Sequence, residues 1–159
     1  PEFAGGMAKL CQKADIIVPN MTEAALMLNR PYEEGPYTAA YIEELLKELG
    51  ALGPRQVVLT GVHFDGQQLG SACYDRLTGE IAYAWAPRVK GFYHGTGDVF
   101  ASALLAGLLN GGDLPASAQA AVDFTVESIR RTREAGTDVR YGVNFEQSLP
   151  GLLRSLRLV

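Results

Sequence analysis

Gly91 to Asn110 reads GFYHGTGDVFASALLAGLLN, and the fold is decided there. Gly95-Thr96-Gly97-Asp98 runs directly into a proline-free, Ala/Leu-rich segment, the pattern of a glycine turn feeding a helix. The first turn of a helix carries N–H groups without internal partners, and the helix dipole adds partial positive charge there. Two glycines allow close backbone approach to an anion such as phosphate. A carboxylate has no reason to bind phosphate, but Asp98 at the mouth of such a hole is suited to take a proton from a hydroxyl that attacks phosphorus. A second reading stays open: Thr96 or Asp98 simply caps a buried helix, since both are good N-cap residues.

Working outward, the 159 residues suffice for one domain with a real core. At 47% hydrophobic and 20% charged, with net charge -4, the composition is that of an ordinary globular protein. No basic cluster points to nucleic acid, because Arg130, Arg131 and Arg133 share their helix with Glu127 and Glu134. Cys11 and Cys73 lack CxxC spacing and read as free thiols of a reducing cytoplasm. The longest apolar run, Val99 to Leu109, is too short to span a membrane, and no signal peptide is seen. With no initiator Met, and with Pro1-Glu2-Phe3 leading almost at once into a helical pattern, the chain reads as one entered in the middle.

Phe3 to Lys13 has helical spacing at Phe3, Met7, Leu10 and Cys11. Asp15 to Asn20 predicts a short buried strand stopped by Pro19, followed by a helix from Met21 to Leu28 and a polar loop to Pro36. Tyr37 to Leu49 predicts an amphipathic helix with Ile42, Leu45, Leu46 and Leu49 inward, and Gln56 to Thr60 a second buried strand ending at Gly61. Strand, helices, strand is a parallel α/β crossover. Leu69–Asp75 and Glu80–Trp85 flank a turn and predict a hairpin. The helix from Val99 to about Asn110 is apolar nearly all round, which predicts deep packing. A helix from Ala116 to about Thr132, with Ala118, Ala121, Val122, Thr125, Val126 and Ile129 inward, and a last helix from Phe145 to Leu156 complete the reading.

Asn20 and Glu23 sit three apart at a helix start, after the first strand. Their oxygens suit Mg2+, directly or through its waters; equally, Asn20 caps the helix and Glu23 completes a capping box. Ligands of open α/β sheets bind at the carboxyl ends of strands, which is where Asn20 to Glu23 and the expected loop Thr60 to His63 fall.

Pro19-Asn20-x-x-Glu23, Val57-Val58-Leu59-Thr60-Gly61 and Gly95-Thr96-Gly97-Asp98, in this order, resemble the ribokinase-like superfamily, and within it the pyridoxal/pyridoxamine kinases, over about Asp15 to Thr132. Sugar kinases of the superfamily usually show Ala where Thr96 stands, and hydroxymethylpyrimidine kinases often show Cys where Asp98 stands. The resemblance implies an α/β fold: a three-layer α/β/α sandwich, partial, with a mostly parallel sheet and one hairpin. It implies ATP and Mg2+ as cofactors and phosphorylation of the hydroxymethyl group of a vitamin B6 vitamer to its 5'-phosphate. Asp98 would be the base and touch the substrate; Gly95, Thr96 and Gly97 would form the anion hole; Asn20 and Glu23 would organise the metal. Thr60, Gly61, Glu23 and Arg88 would face ATP, with Lys90 an alternative to Arg88, and His94 would line the vitamer pocket. Val18 stands where relatives often carry Thr, and His63 is expected to have no chemical role. Pyridoxal kinases are nearly twice this length, so residues 1–159 read as the carboxyl-terminal, nucleotide-binding half of one kinase domain, inactive alone. A cytoplasmic location, a homodimer of the full-length protein, and no nucleic-acid or membrane partner are expected. The alternatives are a hydroxymethylpyrimidine kinase and a non-catalytic nucleotide-binding module.

Overall fold

Val57-Val58-Leu59 is apolar at every position, and only a strand covered on both faces can bury all three. In the computed structural model, which describes residues 2–159, all three are fully buried in strand β2, Gln56–Val62. The chain divides into two units, one ending at Ala84 and the other formed by Trp85–Val159.

The first unit contains α1 (Glu2–Cys11), β1 (Ile16–Ile17), α2 (Met21–Met27), α3 (Ala39–Ala51), β2, β3 (Gln68–Asp75) and the start of β4 (Ile81–Pro87). The side chain of Phe3, expected in the α1 stripe, lies outside what the structure describes. The sheet order is β1-β2-β3-β4. Strand β1 runs parallel to β2, with Ile16 opposite Gln56 and Ile17 opposite Val57, as the crossover predicts. The expected predominance of parallel pairing does not hold within this chain. Strand β2 pairs antiparallel with β3, and the five-residue turn Arg76–Glu80 makes β3 and β4 a hairpin, because so short a link can join only antiparallel strands. The sheet is therefore mixed.

Helix α3 lays Ile42, Leu45, Leu46 and Leu49 against β2 and β3, and each is almost fully buried. Thr38 caps it by accepting from the Tyr41 N–H at 3.2 Å. Cys73 of β3 is a buried free thiol, pushed up to about 12 by burial, and Cys11 is likewise free and buried.

At the hairpin, burial alone would raise the Asp75 carboxyl. The Gln56 side chain at 2.9 Å, the Leu77 N–H at 2.8 Å and the Arg55 guanidinium at 3.1 Å oppose this and hold it at about 2. A folded value below that of an unfolded aspartate, about 3.9, stabilises the fold above that pH and is lost as pH falls towards the folded value. Thermal melts of the wild type should therefore drop between about pH 4 and pH 2, and Asp75→Asn should flatten that part of the profile.

In the second unit, α4 (Thr96–Leu109) and α5 (Leu114–Ala135) form an αα-hairpin. Gly107 faces Ser117 so closely that a Cβ there would sit 2.7 Å from the Ser117 hydroxyl. Asp113 caps α5 by accepting from the Ala116 N–H at 2.7 Å. Deep packing of α4 on all sides is not what the structure shows. Phe100, Ala103, Leu104 and Gly107 are buried, whereas Leu105 is 53% and Leu109 77% exposed. One neighbouring helix covers one face, so an all-round apolar sequence leaves the opposite face open.

The inner stripe of α5 is also rotated from expectation. Ala118, Ala121 and Val122 are buried, but Phe124, Ser128 and Thr132 take the place of the half-buried Thr125, Val126 and Ile129. Ser128 and Thr132 can be buried because each hydroxyl donates to a carbonyl one turn back, at 2.7 Å. The last helix is shorter than predicted. A 3-10 turn, Glu146–Ser148, precedes α6 (Leu149–Ser155), and Pro150, which has no N–H to give, stands in the first turn of α6.

Gln119 of α5 serves the end of β4: its amide oxygen accepts from the Trp85 N–H at 3.2 Å, and its amide nitrogen donates to the Trp85 carbonyl at 3.0 Å. One side chain thus supplies both partners that a neighbouring strand would offer.

Candidate functional site

In the first unit the structure joins two motifs 40 residues apart. Asn20 forms a parallel bridge with Thr60, and the Thr60 N–H donates to the Pro19 carbonyl at 2.9 Å. Gly61 lies beside Met21. Asn20, Glu23, Thr60 and Gly61 therefore meet at the carboxyl ends of β1 and β2.

Thr60 and Gly61 are not in the loop that the sequence suggests. Strand β2 continues through them to Val62, and the register shifts between Thr60 and Val62. Gly61 is the extra residue of a β-bulge, with φ of +79°, which favours glycine. The bulge turns the backbone out of the ladder without ending the strand. The Thr60 hydroxyl points back to the Pro19 carbonyl at 3.4 Å.

The capping reading of Asn20 and Glu23 is realised in full. The Asn20 side-chain oxygen accepts from the Glu23 N–H, and a Glu23 carboxylate oxygen accepts from the Asn20 N–H, both at 2.9 Å. Both residues are exposed, and one carboxylate oxygen of Glu23 takes no part in the box. Among the described residues, no group of three or more His, Cys, Asp or Glu is placed to hold a metal ion. This donor set does not cage an ion. It suits one that keeps its waters and arrives with phosphates.

At the glycine turn of the second unit, the capping reading fails. The N-cap of α4 is Gly95, left-handed at φ 76° and ψ 0°, and no side chain caps the helix. The first helical bond runs from the Val99 N–H to the Gly95 carbonyl at 3.1 Å. The N–H groups of Thr96, Gly97 and Asp98 thus form an uncapped first turn, the geometry that receives an anion. The Thr96 hydroxyl donates to the Tyr93 carbonyl at 3.5 Å. A Cβ on Gly97 would meet nothing within 4 Å among the described residues, so the fold itself does not require glycine there. Asp98 is exposed in the first turn and makes no capping bond.

His94 is exposed, with its ring edge-on to Phe92 at 5.0 Å. Arg88 and Lys90 are also exposed. Arg88 lines an open hollow of about 490 Å³ with Pro87, Val89, Arg130, Arg133 and Glu134. Of the three arginines on α5 that the sequence pairs with acids, Arg131 forms an ion pair with Glu127 at 2.9 Å, while Arg130 and Arg133 share the hollow of Arg88. Their i, i+3 spacing was the available signal.

A sequence profile of the phosphomethylpyrimidine kinase family matches residues 3–143. The chain belongs to this family. Among family relatives it is 29% identical, over 124 residues, to the hydroxymethylpyrimidine/phosphomethylpyrimidine kinase of Aquifex aeolicus (strain VF5), which covers 77% of this chain and 46% of that protein. Of solved structures, a candidate phosphomethylpyrimidine kinase from Bacteroides thetaiotaomicron, in its orthorhombic form with pyridoxal, is 32% identical with a TM-score of 0.87 over 95% of this chain and 53% of its own. Pyridoxal kinase from Lactobacillus plantarum is also 32% identical, with a TM-score of 0.83 over 96% of this chain and 54% of its own. The chain spans about half the length of these relatives. The family fold they share is three-layer α/β with an open mixed sheet, of the ribokinase-like type. Kinases of both pyridoxal and hydroxymethylpyrimidine occur among them. Among the described residues, no helix is long and apolar enough to cross a membrane.

For Glu23, capping and metal roles predict different results. Glu23→Gln keeps an oxygen for the Asn20 N–H, so the melting temperature should change little; if Glu23 also serves a metal, the Mg2+ concentration for half-maximal activity of the full-length protein should rise. A Mg2+ titration that does not move would leave Glu23 with capping alone.

Proposed function

We propose that residues 1–159 are the carboxyl-terminal, nucleotide-binding half of a kinase domain that transfers the γ-phosphoryl group of ATP to the hydroxymethyl group of a vitamin B6 vitamer. One observation carries the reading: a helix start with glycines, three N–H groups and no capping side chain, beside an exposed carboxylate at Asp98. Asp98 accepts the proton of the hydroxymethyl group as its oxygen attacks the γ-phosphorus. The bond from that phosphorus to the ADP oxygen breaks, and ADP and the 5'-phosphate ester leave. The N–H groups of Thr96, Gly97 and Asp98 hold the charge on the transferring group, which is where such catalysis gains most. We assign the Thr60–Gly61 bulge and, in the second unit, Arg88 to contacts with ATP phosphates, and His94 to the vitamer. Asn20 and Glu23 would hold a Mg2+ ion, which would screen the charge on the nucleotide phosphates. The intact protein acts in the cytoplasm as a homodimer.

A second reading, phosphorylation of hydroxymethylpyrimidine, is favoured by the Aquifex relative. Asp98, where those kinases often carry Cys, favours the B6 vitamer. A non-catalytic nucleotide binder would have no use for a carboxylate at that mouth. Steady-state assays of the intact protein with pyridoxal, pyridoxamine, pyridoxine and hydroxymethylpyrimidine test this. The proposal expects the highest kcat/KM on a B6 vitamer. Higher kcat/KM on hydroxymethylpyrimidine would select the second reading, and no turnover on any of them would select the binder.

A further inference from the structure

His63 follows the Gly61 bulge by two residues, and its sequence context assigns it no chemistry. In the structure it ties the end of β2 to the loop that carries Gly35 and Tyr37. Its Nδ1 lies 3.4 Å from the Gly61 carbonyl oxygen. Its ring meets the Tyr37 ring edge-on at 5.1 Å, and its own carbonyl accepts from the Tyr37 N–H at 3.0 Å. The Tyr37 hydroxyl donates to the Glu33 carbonyl at 3.1 Å, which closes the loop over the imidazole. At Gly35 a Cβ would fall 2.6 Å from both Cε1 and Nε2 of the ring, so glycine lets the loop backbone lie against it. Tyr37 is buried, and burial foremost pushes its hydroxyl up to about 12, so it remains a neutral donor.

A glycine at φ +79° has no side chain of its own to hold its second dihedral. We infer that His63 is a positioning residue: Nδ1–H donates to the Gly61 carbonyl and, anchored by the Tyr37 and Gly35 loop, fixes the direction in which the bulge presents its backbone to the nucleotide phosphates. This rests on the reading of Thr60 and Gly61 as a phosphate-facing element. It extends that element to a histidine that touches no reacting atom and to a loop outside the three motifs.

The test measures MgADP affinity by calorimetry, thermal stability, and the amide resonances of Gly61 and Val62 in the full-length protein. His63→Ala removes the donor and should weaken MgADP binding about fivefold, the loss of one net hydrogen bond, and shift both amide resonances. In His63→Asn the side-chain N–H takes the place of Nδ1–H, and affinity should return to within about twofold of wild type at the melting temperature of His63→Ala. If His63→Ala does not fold, His63→Phe, which keeps the ring contact with Tyr37 and lacks the donor, takes its place. Wild-type affinity in the donor-less variant, or no recovery in His63→Asn, overturns the inference and leaves the nucleotide reading standing. Failure of the full-length wild-type protein to bind MgADP overturns the nucleotide reading and the inference together.

Discussion

Asp98→Asn should lower the turnover of the intact kinase by about 10²–10⁴, the usual worth of general-base assistance, while ATP binding persists. The carboxylate is exposed in the first turn of α4 and makes no capping bond, so the amide can replace it without loosening the helix. On the proposed function an amide could not accept the hydroxymethyl proton. The loss should therefore fall on kcat, with the KM for ATP nearly unchanged. An unchanged kcat would remove Asp98 from the chemistry. A large fall in melting temperature would assign it to the fold instead.

Gly97→Ala should move stability and activity in opposite directions. Alanine is the better helix former, by about 0.8–1 kcal/mol, and a Cβ at this position meets nothing within 4 Å among the described residues. The melting temperature should hold or rise. If the turn receives a phosphoryl group, as proposed, that Cβ would crowd its approach to the N–H groups, and turnover should fall by about 10²–10³, as when one donor of an oxyanion hole is lost. Retained turnover at raised stability would show that the turn of α4 holds no phosphoryl group.

The two glycine motifs differ in how much of their structure could be read in advance. At Gly95 to Asp98 the helix start was legible, because glycines followed by a proline-free apolar run leave few alternatives. Which of two roles it serves was not legible, since Thr96 and Asp98 are chemically able to cap. Only the left-handed Gly95, at the N-cap position itself, shows that neither does. At Asn20 and Glu23 the opposite holds: the spacing allowed a capping box, and the box formed. The sequence places Gly61 at the end of a strand, because glycine usually punctuates strands. The bulge became visible only in the register against β3, a pairing with residues eight to eleven positions away.

Local pattern determined the elements that local physics controls. The α3 stripe of Ile42, Leu45, Leu46 and Leu49, the apolar run of β2 and the hairpin turn follow from periodicity and turn chemistry, while the three motifs in their order carry the resemblance to the superfamily. Tertiary structure decided what depends on a neighbour remote in sequence. It placed Asn20 against Thr60, made the sheet mixed by pairing β2 with β3, and set Gln119 against Trp85. It left Leu105 and Leu109 exposed on an all-apolar helix, and it closed the Tyr37 loop over His63. The physical reason is the same in each case. A residue's own propensity sets its dihedral angles, whereas the partner that satisfies its hydrogen bonds or covers its apolar face is supplied by a segment whose position only the packed chain fixes.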